Sequence, residues 1–160
     1  MDISELKIVA YQPRYATSFL ELNKAWLEAH FLIEPYDFKV LQNPREMVLE
    51  KGGYIFFGTI SEEVVATFAL TPSGPASMEL NKMAVREDWR SKGIGHRLMS
   101  FALAHCQALE LEVLELYTHT KLQSALHLYR KFGFEVVPVP SDCVYERADI
   151  RMQRVLRTTA

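Results

Sequence analysis

Three strand-like runs stand back to back in the middle of the chain: "YIFFGTI" from Tyr54, "VVATFAL" from Val64 and "MELNKMAV" from Met78. Only the short polar link "SEE" separates the first two, which predicts a hairpin, and the loop "TPSGPAS" leads into the third. Helical periodicity lies on either side of this block. Upstream, Phe19, Leu22, Trp26 and Leu27 recur at helical spacing between Tyr15 and Phe31. "EPYDFKVLQNP" reads as a loop or short helix, and "PREMVLEKGG" as a helix closed by its glycine pair. Downstream, one helix carries Ile94, Leu98, Phe101, Ala102 and Leu109 on a single stripe. Another, "KLQSALHLYRKFG", places Leu122, Ala125, Leu126, Tyr129 and Phe132 on one face and stops at Gly133. "LKIVAY", "VLELYTH", "FEVVPV" and "DIRMQRVL" supply the remaining strands. The order β-α-α-β-β-β-α-β-α-β-β predicts an α+β fold, a three-layer α/β arrangement. Its sheet is mixed and mostly antiparallel, with helices on both faces. With no repeat or Gly/Ser linker, residues 1–160 are expected to form a single domain.

Composition removes several function classes. A formal net charge of −2 argues against broad electrostatic binding of nucleic acid. Cys106 and Cys143 lack close partners at metal-ligand spacing, and the histidines show no pairing that suggests a site, so no metal is expected. Two cysteines make no disulfide framework, and "MDISELKIVAYQP" lacks a basic start followed by an apolar run. No apolar run approaches the roughly 20 residues that span a bilayer. A cytoplasmic protein with no membrane partner is the expectation.

The chemistry-bearing stretch is "DWRSKGIGHRLM", residues 88–99, between the third central strand and a helix. First-turn amides of a helix have no intrahelical partner, and the helix dipole adds partial positive charge there. Gly93 and Gly95 leave the backbone open to an anion, and Arg90, Lys92 and Arg97 add formal charge. A phosphate cradle and a plain turn are both compatible with the stretch taken alone. It is neither a Walker loop, for want of Gly-Lys-Ser/Thr, nor a dinucleotide fingerprint, for want of a third glycine.

"NKMAVREDWRSKGIGHRLM" resembles the central strand and Arg/Gln-x-x-Gly-x-Gly/Ala pyrophosphate loop of the GNAT superfamily of acetyl-CoA-dependent N-acetyltransferases. "SALHLYRKFGFE", about 30 residues on, is similar to that family's second signature, Ala-x-x-Leu-Tyr ending in Gly-Phe. The element order agrees over nearly the whole chain. Leu122 departs from the pattern, since many relatives carry Asn there. The resemblance implies acetyl transfer from acetyl-CoA to an amine. The pyrophosphate would fall to the amides of Ser91, Lys92, Gly93, Ile94, Gly95 and His96, with Arg90 and Lys92 as supporting charge. The pantetheine arm would lie along Met83, Ala84 and Val85, where a backbone amide would polarise the thioester carbonyl.

Tyr129 is the candidate general acid, because a phenol is protonated at pH 7 and can serve a departing thiolate. Its place on an apolar stripe also suits a core tyrosine. Glu79 is the candidate general base, through water; an ion pair, for example with Lys82, is the competing reading. His119 is an alternative base. The first helix and the segment after it carry Trp26, Phe31, Tyr36 and Phe38 with Glu28, Glu34 and Asp37. The resemblance implies that this region walls the acceptor side, so Trp26, Phe31, Glu34, Tyr36 and Asp37 are the expected acceptor pocket, suited to a cationic amine with an apolar body. The partner is thus a small-molecule or peptide amine, and the protein a monomer or homodimer. A non-catalytic acyl-CoA-binding module of the same fold is the competing function.

Overall fold

The computed structural model describes residues 2–143 and 147–157. Strands β1 (Lys7–Ala10), β2 (Tyr54–Ile60), β3 (Glu63–Gly74), β4 (Ser77–Val85), β5 (Val113–Thr118), β6 (Glu135–Val137) and β7 (Ile150–Val155) form one sheet. Helices α1 (Ala16–His30), α2 (Pro35–Gln42) and α3 (Pro44–Met47) precede β2, while α4 (Ile94–Ala108) and α5 (Gln123–Lys131) flank β5. The strand order is β1-β2-β3-β4-β5-β7-β6, antiparallel throughout except for the parallel pair β4–β5.

Alternation along β2 divides the core between two faces. Ile55 and Phe57 pack with Phe19 and Leu27 of α1 and Val40 and Leu41 of α2. Phe56 and Ile60 pack on the other face with Phe68, Leu70 and the Ile94, Leu98 and Ala102 stripe of α4. That is why "YIFFGTI" is apolar almost throughout: both sides of this strand are covered. Phe57 and Phe68 are fully buried, each contributing about 2–3 kcal/mol through area removed from water. The three-layer expectation is met.

Two irregularities in β4 position the site. Between Thr67–Ala69 on β3 and Asn81–Ala84 on β4 the register gains one residue, and Lys82 takes φ +53° in this bulge. On its other side, β4 pairs with β5 only at Ser77–Val113, Met78–Leu114 and Glu79–Glu115. Beyond Glu79 the two strands part, and a cleft opens between them.

The structure redraws some element boundaries. The expected helix at 44–53 is four residues of α3, then a 3-10 turn at Leu49–Lys51. Val48 between them leaves helical geometry (φ −120°, ψ −63°) and is fully buried against the sheet, so core packing outweighs helical continuity. The stretch "TPSG", expected in a loop, prolongs β3 to Gly74, with Pro72 opposite Met78. β6 keeps only three residues, since Pro138 and Pro140 cannot extend a ladder. "EPYDFKVLQNP" resolves to helix α2, started by Pro35 and by the Asp37 carboxylate, which accepts the Glu34 amide at 2.8 Å.

Candidate active site

The cleft between the parting strands has a volume of about 830 Å³ counted to its open mouth. β4 lines it from Glu79 to Met83, β5 and its end from Leu116 to His119, and α5 through Ala125 and Tyr129. Asn23, Trp26, Leu27 and Phe31 close it from α1 and its end, and Arg147 and Ala148 from the segment before β7. Of the residues singled out in the sequence, Glu79, Tyr129, Met83, Trp26 and Phe31 therefore meet in one cavity.

Glu79 sits where β4 and β5 stop pairing, opposite Glu115. Burial raises its pKa above the ordinary carboxylate range, and Glu115 adds to the rise. A hydrogen bond from Asn81 Nδ2 at 2.8 Å and the Lys82 charge pull the other way without cancelling it. Asn81 also donates to Thr71 Oγ1 at 3.1 Å, so the amide that restrains Glu79 is itself anchored on β3. Glu115 is held by Arg151 at 3.3 Å. A carboxylate raised in this way is a better proton acceptor than an ordinary one.

Tyr129 is half-buried on α5, its ring 6.0 Å from that of Phe134. Gly133 (φ +86°) turns the chain, and the amides of Phe132 and Phe134 both return to the Tyr129 carbonyl. The C-cap thus fixes the tyrosine backbone. Burial pushes the phenol up to about 12, so it is fully protonated at neutral pH. Its hydroxyl has no partner among the described residues.

His119 lines the cleft, but its ring nitrogens are engaged. Nδ1 accepts the Lys121 amide at 3.0 Å, while Nε2 lies 3.6 Å from Asp149 Oδ2. That pattern assigns the Nε2–H tautomer to the neutral ring and leaves no lone pair for the cleft. Cys106 is fully buried on α4 and its thiol is raised to about 11, the state of a core residue rather than a nucleophile.

The basic glycine turn follows β4 directly. Gly93 adopts φ +88° as the N-cap of α4, and the first intrahelical bond runs from Arg97 N to the Gly93 carbonyl. The amides of Ile94, Gly95 and His96 therefore lack helical acceptors, the arrangement that receives an anion. A Cβ at Gly95 would lie 3.6 Å from Leu128, and His96 meets Phe132 edge-on at 4.7 Å. The mouth of α4 is thereby packed against the helix that carries Tyr129. Ser91 also has positive φ (+61°). The side chains near the turn are partly engaged: Arg90 Nε donates to the Val85 carbonyl at 3.0 Å, and Lys92 lies over the Trp89 ring at 5.4 Å. Ala84 is buried in the sheet opposite Thr67. The turn thus offers an anion free backbone amides at the positive end of α4.

The residues expected to form the acceptor pocket are not all brought together. Glu34, Tyr36 and Asp37 do not line the cleft. Asp37 has no exposed surface; it accepts Arg147 at 2.7 and 2.8 Å and Lys82 at 3.2 Å. Glu34 accepts Arg147 at 2.8 Å. Burial opposes the ionised form of Asp37, but Arg147, Lys82 and the Glu34 amide outweigh it and hold the carboxyl below its ordinary pKa. Tyr36 is raised by burial and by the nearby Glu79 charge. The cations that meet these acids lie 45 to 113 positions away in sequence, so their pairing could not be read from spacing. Lys82 was weighed in the sequence only as a partner for Glu79, whereas it pairs with Asp37, and Arg147 was missed. A lysine inside a central strand is a weak signal for the first, because buried charge demands a partner; nothing in the sequence marks the second.

Among the described residues no group of three His, Cys, Asp or Glu side chains could hold a metal, and no helix is long and apolar enough to cross a membrane.

The family model of the acetyltransferase (GNAT) family matches residues 15–134. An uncharacterized N-acetyltransferase of Bacillus subtilis, YvbK, is 25% identical over 112 residues, 68% of this chain and 72% of that protein. A GNAT-family acetyltransferase structure from Staphylococcus aureus superposes with a TM-score of 0.85 at 22% identity, covering 95% of this chain and 99% of that one. A spermidine N-acetyltransferase from Vibrio cholerae, solved with CoA and spermine, gives 0.73 at 18% identity, covering 96% of both chains. At these identities the structural likenesses are likenesses of fold.

Proposed function

The chain belongs to the acetyltransferase (GNAT) family, and from that premise we propose that it moves an acetyl group from acetyl-CoA to a primary amine by direct attack, with Glu79 as base and Tyr129 as acid. The observation that carries the reading is the meeting of Glu79 and Tyr129 in the cleft that opens where β4 and β5 part.

Bound acetyl-CoA supplies the activated acyl group. The amides of Ile94, Gly95 and His96, at the positive end of α4, take the pyrophosphate, with Arg90 and Lys92 adding charge. The pantetheine arm would run along β4 at Met83, which lines the cleft, and the adjoining Ala84 and Val85, with a backbone N–H near Val85 meeting the oxyanion that develops on the thioester carbonyl. Glu79, with its raised pKa, accepts a proton from the attacking nitrogen through a water. Tyr129 donates its O–H to the sulfur as the C–S bond breaks. Because its pKa of about 12 exceeds that of an ordinary thiol, the hydrogen bond to developing negative charge matters more than completed proton transfer. His119 already accepts the Lys121 amide at Nδ1, so that lone pair is engaged.

The test is acceptor-dependent release of free thiol from acetyl-CoA across amino acids, peptides, polyamines and aminoglycosides. Release that saturates with one acceptor class supports the reading. Saturable CoA binding with no acceptor-dependent release over that panel would favour the non-catalytic acyl-CoA-binding module.

A further inference from the structure

The proposed base has a neighbour whose hydrogen bonds make its two carboxylate oxygens unequal. Thr71 of β3 stands opposite Glu79 in register, and Asn81 lies two residues beyond Glu79 on β4, so the three side chains share one face of the sheet. Asn81 is also the last residue in regular register with β3 before the bulge at Lys82. Both N–H bonds of its amide are engaged. Nδ2 donates to Glu79 Oε2 at 2.8 Å and to Thr71 Oγ1 at 3.1 Å. An ionised carboxylate only accepts, so the amide turns its nitrogen, not its oxygen, toward Glu79. Thr71 holds the amide by its other N–H, which limits its freedom to swing away. Among the described residues nothing donates to Glu79 Oε1, and that atom is not buried without a partner. Glu79 and Asn81 both line the cleft. Oε2 is therefore tied to the strand, and Oε1 is the oxygen left to take a proton.

We propose that Asn81 is a positioning residue for acetyl transfer: its amide, braced by Thr71, holds Glu79 through Oε2 and aims Oε1 at the water or amine that gives up the proton. The inference rests on the acyl-transfer reading above and deepens it at the base. The same hydrogen bond favours the ionised carboxylate, and so limits how far burial and Glu115 raise its pKa. The other groups around Glu79 are Lys82 on its own strand, Glu115 of β5 with Arg151 of β7 behind it, Tyr117 of β5 and Tyr36 of α2. Arg147, from the segment before β7, lines the same cleft. Substituting Asn81 removes none of them, so a change in the titration of Glu79 reads the amide.

The experiment titrates the Glu79 carboxyl by carbon NMR in the ligand-free full chain carrying carboxyl-labelled glutamate, its resonance assigned by its loss in Glu79→Gln. Asn81→Ala should raise the Glu79 midpoint by about one pH unit. Thr71→Val keeps the amide but frees it, and should raise the midpoint by a smaller amount. In the thiol-release assay, with the acceptor that the panel above returns, the acid limb of kcat/KM should move up in step. The plateau kcat of Asn81→Ala should fall about tenfold, since the ionised base is no longer aimed, with the KM for acetyl-CoA unchanged. A merely structural role would lower kcat at every pH and leave the Glu79 midpoint in place, and that result overturns the inference. Should Asn81→Ala fail to fold, Thr71→Val decides: an upward move of the midpoint supports the braced amide, and an unmoved one refutes it. A Glu79→Gln chain that keeps the wild-type rate is a different result, which removes Glu79 as the base and this inference with it.

Discussion

Glu79 and Tyr129 illustrate how one physical term, burial, prepares two groups for opposite tasks. Removing a carboxyl from water favours its protonated form, and so does removing a phenol. For Glu79, the proposed base, the result is a pKa above the ordinary carboxylate value. For Tyr129 it is a donor that stays protonated throughout the working range. The pH dependence has a definite sign: kcat/KM rises with pH as Glu79 loses its proton, with a midpoint above the ordinary carboxylate value, and Glu79→Gln lowers the rate and erases that limb in a pH–rate profile. Tyr129→Phe keeps the ring against Phe134 and removes only the hydroxyl. Its kcat should fall by about 10² with little change in CoA affinity; a variant turning over at the wild-type rate removes the donor assignment.

Among the elements, the α4 N-terminus and the β4 strand divide the work. The turn before α4 holds Gly93 in the left-handed region, where a side chain is strained whatever the space around it. Lys92 packs over Trp89 at the surface. The proposed pyrophosphate cradle therefore rests on backbone geometry more than on formal charge. Gly93→Val should weaken CoA binding about tenfold or more, and Lys92→Ala only a few-fold, as measured by calorimetric titration. The reverse ranking would make side-chain charge the binding determinant. In β4, the extra residue at the bulge and the loss of pairing beyond Glu79 together turn a central strand into one wall of a cleft. The strand itself was legible as "MELNKMAV"; its bulge was not, because register depends on the partner strand.

At the scale of the molecule, Asp37 ties together three parts of the chain: α2, the β4 bulge through Lys82 and the segment before β7 through Arg147. Breaking a buried pair leaves charge without compensation, so Asp37→Asn should cost about 3 kcal/mol at pH 7, seen as a lower Tm. The folded pKa of Asp37 lies below its unfolded value. Its stabilisation is therefore present above the unfolded pKa near 3.9 and is lost as pH falls through the folded one. The wild type should show that acid step in its unfolding free energy and Asp37→Asn should lack it.

Periodicity and turn residues were enough to read the element order and the two-faced covering of the sheet, while the family resemblance singled out the turn at Gly93 and the signature around Tyr129. These are local properties: spacing along a helix, alternation along a strand, a glycine where the backbone needs positive φ. The polarity of the acceptor end was decided only by tertiary structure. Glu34 and Asp37 looked like a wall for a cation, yet Arg147 and Lys82, distant in sequence, meet them in ion pairs. Sequence records which charges a chain carries. Which of them neutralise one another depends on distances of 3 Å that only the folded chain creates.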